Sequence, residues 1–303
     1  MSGKQLSVAL ALDLLKRDRV GRAQAKSTIV GEQRMLRREL PRLGKRLDRV
    51  RSEDLEAWIA KRMTEVCATT VSRELSSLRK LFGVLVAAEL VTQDPTRGLG
   101  VKPSPPRRLV LSEEDVGRLL AESSRPIRLR RSIKRSEVIA LRNRALLELL
   151  YSLGVRAGEV VRLRLLDLDL AGRSIFARRV KGARGAALPL PESLVPHLER
   201  YVSEARPELL QTRDEAGGLL LVNERGRPFH CRDVWRTVSK VARRAGIDAH
   251  PHAMRRSVAT HLVRDGASLS AVQQLLGHKR IDTTERYVGV LTEELRAAIE
   301  SLG

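Results

Sequence analysis

Basic, imidazole and phenol side chains occur in the later part of the chain in a pattern that could transfer a phosphodiester between oxygens. That chemistry needs a nucleophile, fixed positive charge around the non-bridging oxygens and an acid that protonates the departing alkoxide. Arg156 and Arg255 are candidates for a positive clamp, because guanidinium forms paired hydrogen bonds with phosphate and stays charged at any working pH. His252 precedes Arg255 by one helical turn, so one phosphate could touch both side chains.

Two further residues supply candidates for the acid and the nucleophile. Lys181 opens the segment Lys181–Gly185 between two strand-like runs, where a flexible ammonium could swing toward a leaving oxygen as general acid. The alternative for Lys181 is an ordinary exposed turn lysine. Tyr287 is one of three tyrosines, and a phenol becomes a nucleophile when it is desolvated beside positive charge. The alternative for Tyr287 is an aromatic anchor in the core.

Three stretches of the chain resemble the signature of the tyrosine recombinases, also called the phage integrase family. Gly154–Val160 is similar to the family's first arginine box, and His250–Arg255 to its His-x-x-Arg box. The stretch from Leu276 to Tyr287 resembles the part that carries the second histidine and the nucleophile. The sequence departs from the family at Arg256, where histidine is common, and at Ala186, where a basic residue often stands.

The resemblance implies a role for each candidate residue. Glu159 would support Arg156 from behind, His278 would bond the phosphate and help place the nucleophile, and Tyr287 would form a 3′-phosphotyrosyl bond. An incoming 5′ hydroxyl would then reverse the attack, so no cofactor is expected, and no usual ligand spacing points to a metal. The implied catalytic set is Arg156, Lys181, His252, Arg255, His278 and Tyr287.

The spacing of apolar residues predicts a mainly helical chain of two domains. Residues 1–100 are expected to form a helical bundle, residues 101–111 a proline-rich linker, and residues 112–303 a second domain. The resemblance implies that the bundle is a SAM-like core-binding domain. For the second domain, the resemblance implies a mixed α+β, mostly helical catalytic domain with a small antiparallel sheet. One helix of the bundle should bury a stripe made of Val71, Leu75, Leu78, Phe82 and Leu85.

Local signals place three elements of the second domain. Ser112 followed by Asp115 can cap a new helix. An antiparallel strand pair is expected at 173–180 and 186–191, and Gly154 should let the chain turn before a helix that starts near Arg156. A final amphipathic helix near the end of the chain would dock into a neighbouring protomer, by analogy with the family, or pack on its own domain.

The charge balance points to a polyanionic partner. Lysine and arginine total 57 against 36 acidic residues, a net charge of +21, which raises a strongly positive field; solvated surface charge is the alternative. We expect DNA contacts from Arg73, Arg79, Lys80 and Arg184, with a solvated face as the alternative for the helix that holds the first three.

The segment from Arg125 to Arg135 holds six basic residues and no acid. It predicts either a loop against a DNA backbone or a mobile charged insertion.

Compartment and partners follow from the same features. The sequence has no apolar run of membrane length and no signal-peptide core at its start, so a cytoplasmic, nucleoid-associated protein is expected. Cys67 and Cys231 form no CxxC and are expected to be reduced, buried or incidental thiols. The resemblance, closest in plan to the compact Xer-like members, implies double-stranded DNA with a specific site as the partner. It also implies a homo-tetramer on two sites, or an assembly that a second recombinase completes.

The function that the resemblance implies is site-specific recombination, with strand exchange through a Holliday junction. A type IB topoisomerase uses the same tyrosine and arginines but relaxes supercoils as a monomer, and it is the nearest rival. A DNA-binding protein that keeps the fold without catalysis is the third hypothesis. The complete set of candidate residues argues against it.

Overall fold

The computed structural model describes residues 6–103, 109–126, 133–178, 185–210 and 216–277. The chain divides into two compact units, Met1–Arg107 and Arg108–Gly303. Each unit has its own buried apolar cluster.

The first unit is a helical bundle. The predicted stripe from Val71 to Leu85 lies on its last helix and is 0–2 % exposed, which confirms the helical period read from the sequence. Leu12, Leu36 and Leu55 bring the other helices onto the same core. The helices of the unit are α1 (Val8–Gly21), α2 (Lys26–Glu39), α3 (Ser52–Glu65) and α4 (Ala68–Ala87), with short 3-10 turns at Leu40–Leu43 and Leu47–Arg49.

Charged side chains are also buried in this bundle, where α2, α3 and α4 meet. Arg62 on α3 donates from Nε and Nη2 to the two carboxylate oxygens of Glu74 on α4, at 3.0 and 2.9 Å. Glu39, the last residue of α2, lies 3.4 Å from Arg62. Glu39, Arg62 and Glu74 are 0, 5 and 3 % exposed. The hydrogen bonds to Glu74 raise the pKa of the Arg62 guanidinium, so this cation holds two buried carboxylates.

The second unit is mostly helical. Ser112 caps its first helix as the sequence predicts, since the Ser112 hydroxyl accepts a hydrogen bond from the Asp115 amide at 3.0 Å. One π-helical turn, Tyr201–Ala205, joins two α-helical segments into a continuous rod. The helices are α5 (Glu113–Ser123), α6 (Ile133–Ser152), α7 (Ala157–Val160), α8 (Val195–Arg200), α9 (Arg206–Leu210), α10 (Cys231–Ala245), α11 (Pro251–Arg264) and α12 (Leu269–Leu276).

The small sheet of the second unit is antiparallel, as expected. Strands β2 (Ser174–Ala177) and β3 (Ala186–Pro189) pair with Ile175 opposite Leu188, and both of these side chains are buried. A two-residue strand that the sequence did not predict, β1 (Leu168–Asp169), pairs with the other edge of β2. The structure thus confirms a mainly helical chain with a small antiparallel sheet. The hairpin tip with Lys181 and Arg184 lies outside the described residues, as does most of the basic segment from Arg125 to Arg135.

Two remaining expectations concern thiols and membranes. Cys67 and Cys231 are free, as predicted, and both are exposed, so burial was the wrong alternative for them. None of the helices in the described part of the chain has both the length and the apolar character of a membrane span.

The buried charges of the first unit yield a stability prediction. Arg62→Ala should lower the free energy of unfolding by about 3 kcal/mol, the lower end of the cost of breaking a buried ion pair, because Glu39 and Glu74 lose their buried cation and, among the described residues, share only the exposed Arg38. Urea denaturation followed by the fluorescence of the buried Trp58 measures the loss. Arg17→Ala is the control, since its pair with Asp13 has side chains 76 and 45 % exposed. Such a pair contributes at most about 1 kcal/mol, and an equal effect of both variants would contradict the prediction.

Candidate active site

The turn before α7 presents Arg156 and Glu159 together. Gly154 has a φ of +55°, and a Cβ at this position would lie 2.6 Å from the Leu276 side chain, so only glycine fits there. Arg156 is the residue that precedes α7. Its backbone amide and its Nη1 each donate to one carboxylate oxygen of Glu159, both at 2.9 Å. Glu159 is 1 % exposed, whereas the Arg156 side chain is 38 % exposed. The Arg156 fork is therefore held from the protein side and open on the other.

The Glu159 carboxylate serves two arginines. Its Oε2 lies 3.8 Å from Nη1 of Arg255, while Oε1 accepts from Arg156. Burial opposes ionisation of Glu159, but the hydrogen bond from the Arg156 amide and the charges of Arg156 and Arg255 outweigh it. The pKa of Glu159 therefore lies below its ordinary value. The carboxylate is ionised at neutral pH and places negative charge behind the two candidate clamp residues.

Arg255 is buried at the centre of the site. It lies on α11 and is 2 % exposed. Its Nη1 donates to the Gly154 carbonyl, and its Nη2 donates to the Leu276 carbonyl at 2.6 Å. One guanidinium thus ties together α11, the turn before α7 and the last residue of α12. The sequence indicated Arg255 as a phosphate ligand and gave no sign of these backbone contacts.

His252 lies on the first turn of α11 and is exposed. Partial desolvation and the charges of Arg256 and Arg255, with a smaller contribution from Arg156, hold its pKa below the ordinary value of 6.5. The imidazole is therefore neutral at pH 7, with one nitrogen that donates and one that accepts. The structure brings His252 into the field of both clamp arginines.

Two residues near this site were not assigned such contacts from the sequence. His250 precedes α11, and its Nδ1 accepts a hydrogen bond from the Ala253 amide at 3.1 Å. Its ring stacks on Trp235 of α10, with centroids 5.3 Å apart and planes at 16°. The position of His250 before Pro251 was the available signal, because proline favours the first position of a helix.

The start of the second unit packs on the same helix. The Leu111 amide donates to the Ser257 hydroxyl at 2.8 Å, and the Leu111 carbonyl lies 2.9 Å from Nε2 of His261. Arg256, where the family commonly has histidine, donates to the Leu109 carbonyl at 3.5 Å. Arg256 therefore holds the chain that enters the unit.

The other predicted site residues fall into two groups. Lys181, Arg184, His278 and Tyr287 lie outside the described residues. In the first unit, Arg73, Arg79 and Lys80 are exposed on α4. Arg79 donates to the Leu99 carbonyl at 2.6 Å and Lys80 lies 3.2 Å from Glu32. In the described part of the chain, no group of three or more His, Cys, Asp or Glu side chains is placed to hold a metal ion.

The family models and the related proteins that match this chain agree on one family. Residues 110–294 match the phage integrase family, and residues 19–89 match the phage integrase N-terminal SAM-like domain. Tyrosine recombinase XerC of Lactobacillus delbrueckii subsp. bulgaricus is 32 % identical over 254 residues, 82 % of this chain and 81 % of the relative. Tyrosine recombinase XerD of Proteus mirabilis is 36 % identical over 249 residues, 80 % and 75 % of the two chains.

A solved structure shares the fold. The lambda integrase tetramer bound to a Holliday junction superposes with a TM-score of 0.71 at 17 % identity, over 94 % of this chain and 78 % of that chain. The family match covers more than half of the chain, and the relatives span most of it. The chain belongs to the phage integrase family and is an Xer-like tyrosine recombinase.

Proposed function

We propose that this enzyme is a site-specific DNA recombinase that cuts and rejoins duplex DNA through a 3′-phosphotyrosyl intermediate on Tyr287. The observation that carries the proposal is the arrangement around Glu159. A buried carboxylate holds the partly exposed Arg156 and lies beside the buried Arg255, which is one helical turn from His252 on α11. Such an arrangement suits a phosphate with two non-bridging oxygens.

The proposed chemistry balances without an external energy source. The Tyr287 phenol releases its proton to solvent as its oxygen forms a bond to phosphorus, the bond to the 5′ oxygen breaks, and Lys181 supplies the proton that the 5′ oxygen takes up. A 5′ hydroxyl from the partner strand then attacks the phosphotyrosyl bond, and the phenol leaves. Each step exchanges one phosphate ester for another, so the bond energy is conserved. His252 and His278 would hydrogen-bond the non-bridging oxygens while charge builds up on them.

Charge and exposure support duplex DNA as the partner of both units. The net charge is +21, and Arg73 is exposed on α4 with no side-chain partner among the described residues of the first unit. Arg79 and Lys80 are engaged within the bundle, so they would have to exchange those contacts for phosphates. We place Arg184 at the DNA as well. The proposed assembly is a tetramer on two sites, made of this chain alone or with a second recombinase, acting at the nucleoid in the cytoplasm.

The reaction class can be tested with two labelled DNA fragments that carry the same candidate site. We expect recombinant fragments to appear without ATP, because the covalent intermediate stores the bond energy. A supercoiled plasmid with a single site serves as the parallel substrate. Relaxation of the plasmid without any exchange between fragments would identify a topoisomerase and overturn the proposal.

Tyr287→Phe tests the nucleophile. The variant should bind DNA as the wild type does but form no covalent complex on a nicked suicide substrate, because the ring lacks the attacking oxygen. Tyr151→Phe is the matched control, since the Tyr151 hydroxyl contacts His261 at 2.9 Å and we assign it no role at the phosphate. Covalent attachment is read by denaturing gel electrophoresis. A covalent band from Tyr287→Phe would show that another residue attacks.

Glu159→Gln tests the support of the clamp. The amide cannot match the charge of two guanidiniums, so the cleavage rate should fall about 10- to 100-fold. This factor corresponds to the roughly 1.5–3 kcal/mol that hydrogen bonds to charged groups contribute. Single-turnover cleavage measures the rate, and a filter assay measures DNA affinity, which should change little. Glu192→Gln is the control, because the Glu192 side chain is 90 % exposed and its ion pair within the described part of the chain is a surface pair with Arg173. Equal rates for the two variants would remove Glu159 from the site.

A further inference from the structure

The helix that carries His252 and Arg255 begins with an unusual cap. Ser7, Ser112 and Ser268 cap α1, α5 and α12 through hydroxyl oxygens, as is common at helix starts. Helix α11 instead begins at His250, whose Nδ1 accepts from the Ala253 amide at 3.1 Å. A hydroxyl accepts this bond at any working pH, whereas an imidazole accepts it only while Nδ1 carries no proton.

The orientation of the His250 ring is set by a second side chain. Rotation about the bond to an imidazole ring has broad preferences, so the cap needs something that turns Nδ1 toward Ala253. The indole of Trp235 stacks on the imidazole ring, with 5.3 Å between the ring centroids and an angle of 16° between the ring planes. Trp235 is 46 % exposed, which is unusual for a residue whose only task is to fill a core. The stacking contact with His250 assigns this exposed side chain a structural role, which is to orient the imidazole ring.

The cap lies next to the residues that handle the phosphate. His250 stands two positions before His252 and fixes the first turn of α11, on which His252 lies. Arg255 anchors the following turn to Gly154 and Leu276. A frayed first turn would therefore displace His252 while Arg255 stays in place.

We propose that Trp235 and His250 are a positioning pair, which holds His252 for strand cleavage only while the His250 imidazole is neutral. The inference rests on the proposed function, since it concerns the rate of that reaction. Neither residue touches the phosphate in this scheme. Both act through the backbone of the first turn of α11.

The charges around His250 favour the neutral ring. Partial burial and then the Arg256 guanidinium lower its pKa below the ordinary 6.5, against the opposing charge of Asp248. His252 lies on the same turn, and a positive charge on His250 contributes to the lowering of the pKa of His252. Trp235, from α10, is uncharged, and the amides at the start of α11 repel a cation. The cap is thus intact above pH 6.5 and is lost as the pH falls through the lowered pKa.

Three forms of the chain test the cap: the wild type, His250→Ser and His250→Ala. Serine restores a cap that does not titrate, and alanine removes it. At pH 7.5 we expect His250→Ser to cleave a suicide substrate within about threefold of the wild type, and His250→Ala to cleave about fivefold more slowly than His250→Ser. Equal rates for the serine and alanine forms would overturn the inference.

The pH dependence separates positioning from a merely structural role. Dividing each rate by that of His250→Ser cancels the titrations that the three forms share, such as that of the DNA complex. This ratio should stay constant for His250→Ala, whereas for the wild type it should fall toward the alanine value between pH 7.5 and 5. A wild-type ratio that does not change with pH contradicts the inference.

If the proposed function is wrong, the three proteins should give a different set of results. In that case no form would cleave at any pH, yet the melting temperature of the wild type would still fall below that of His250→Ser on acidification. The two failures are therefore distinguishable with the same three proteins.

Trp235 is tested by a double-mutant cycle. Trp235→Ala should slow cleavage several-fold in the wild-type background and have little effect beside His250→Ser, because the tryptophan acts through the imidazole. Trp235→Phe keeps an aromatic face and should stay close to the wild type. An equal loss from Trp235→Ala in both backgrounds would mean that the indole acts elsewhere, and the pair would be refuted.

Discussion

The ion pairs of the buried Glu159 carboxylate are the interaction on which the site depends. A carboxylate that is 1 % exposed is costly to bury unless cations and hydrogen bonds replace water. Arg156 supplies two hydrogen bonds and Arg255 a second positive charge at 3.8 Å. In return, Glu159 lets two guanidiniums lie near one another, which their mutual repulsion would otherwise oppose. The result is a pair of guanidiniums, one partly exposed and one buried, that is held in place before any phosphate arrives.

Arg255 turns this charge arrangement into a rigid geometry. Its Nη1 and Nη2 donate to the carbonyls of Gly154 and Leu276, so three segments distant in sequence meet at one side chain. Gly154 permits the approach because it has no Cβ to collide with Leu276. Preorganisation of this kind matters for phosphoryl transfer, since the dipoles and charges need not move as the reaction proceeds. The order of the site thus derives from backbone carbonyls as much as from ionic side chains.

The two units use their charges differently. Arg62 in the first unit is buried between Glu39 and Glu74 and contributes to the bundle, not to any external surface. Arg156 in the second unit is paired on one side and exposed on the other. Net charge alone does not distinguish these cases, because both arginines count equally in a total of +21. A cationic side chain can bind a polyanion only if it stays exposed to solvent after it has formed its ion pairs within the protein.

The sequence by itself determined the local elements. The stripe from Val71 to Leu85, the Ser112 cap and the strand pair at 173–180 and 186–191 follow from residue period and turn chemistry, which act over a few neighbours. The motifs around Arg156 and Arg255 indicated the family. Only the tertiary structure decided that Arg255 binds carbonyls 101 and 21 residues away and that Trp235 stacks on His250. Those contacts depend on how whole helices pack against one another. A short sequence pattern does not specify which residues far apart in the chain come into contact.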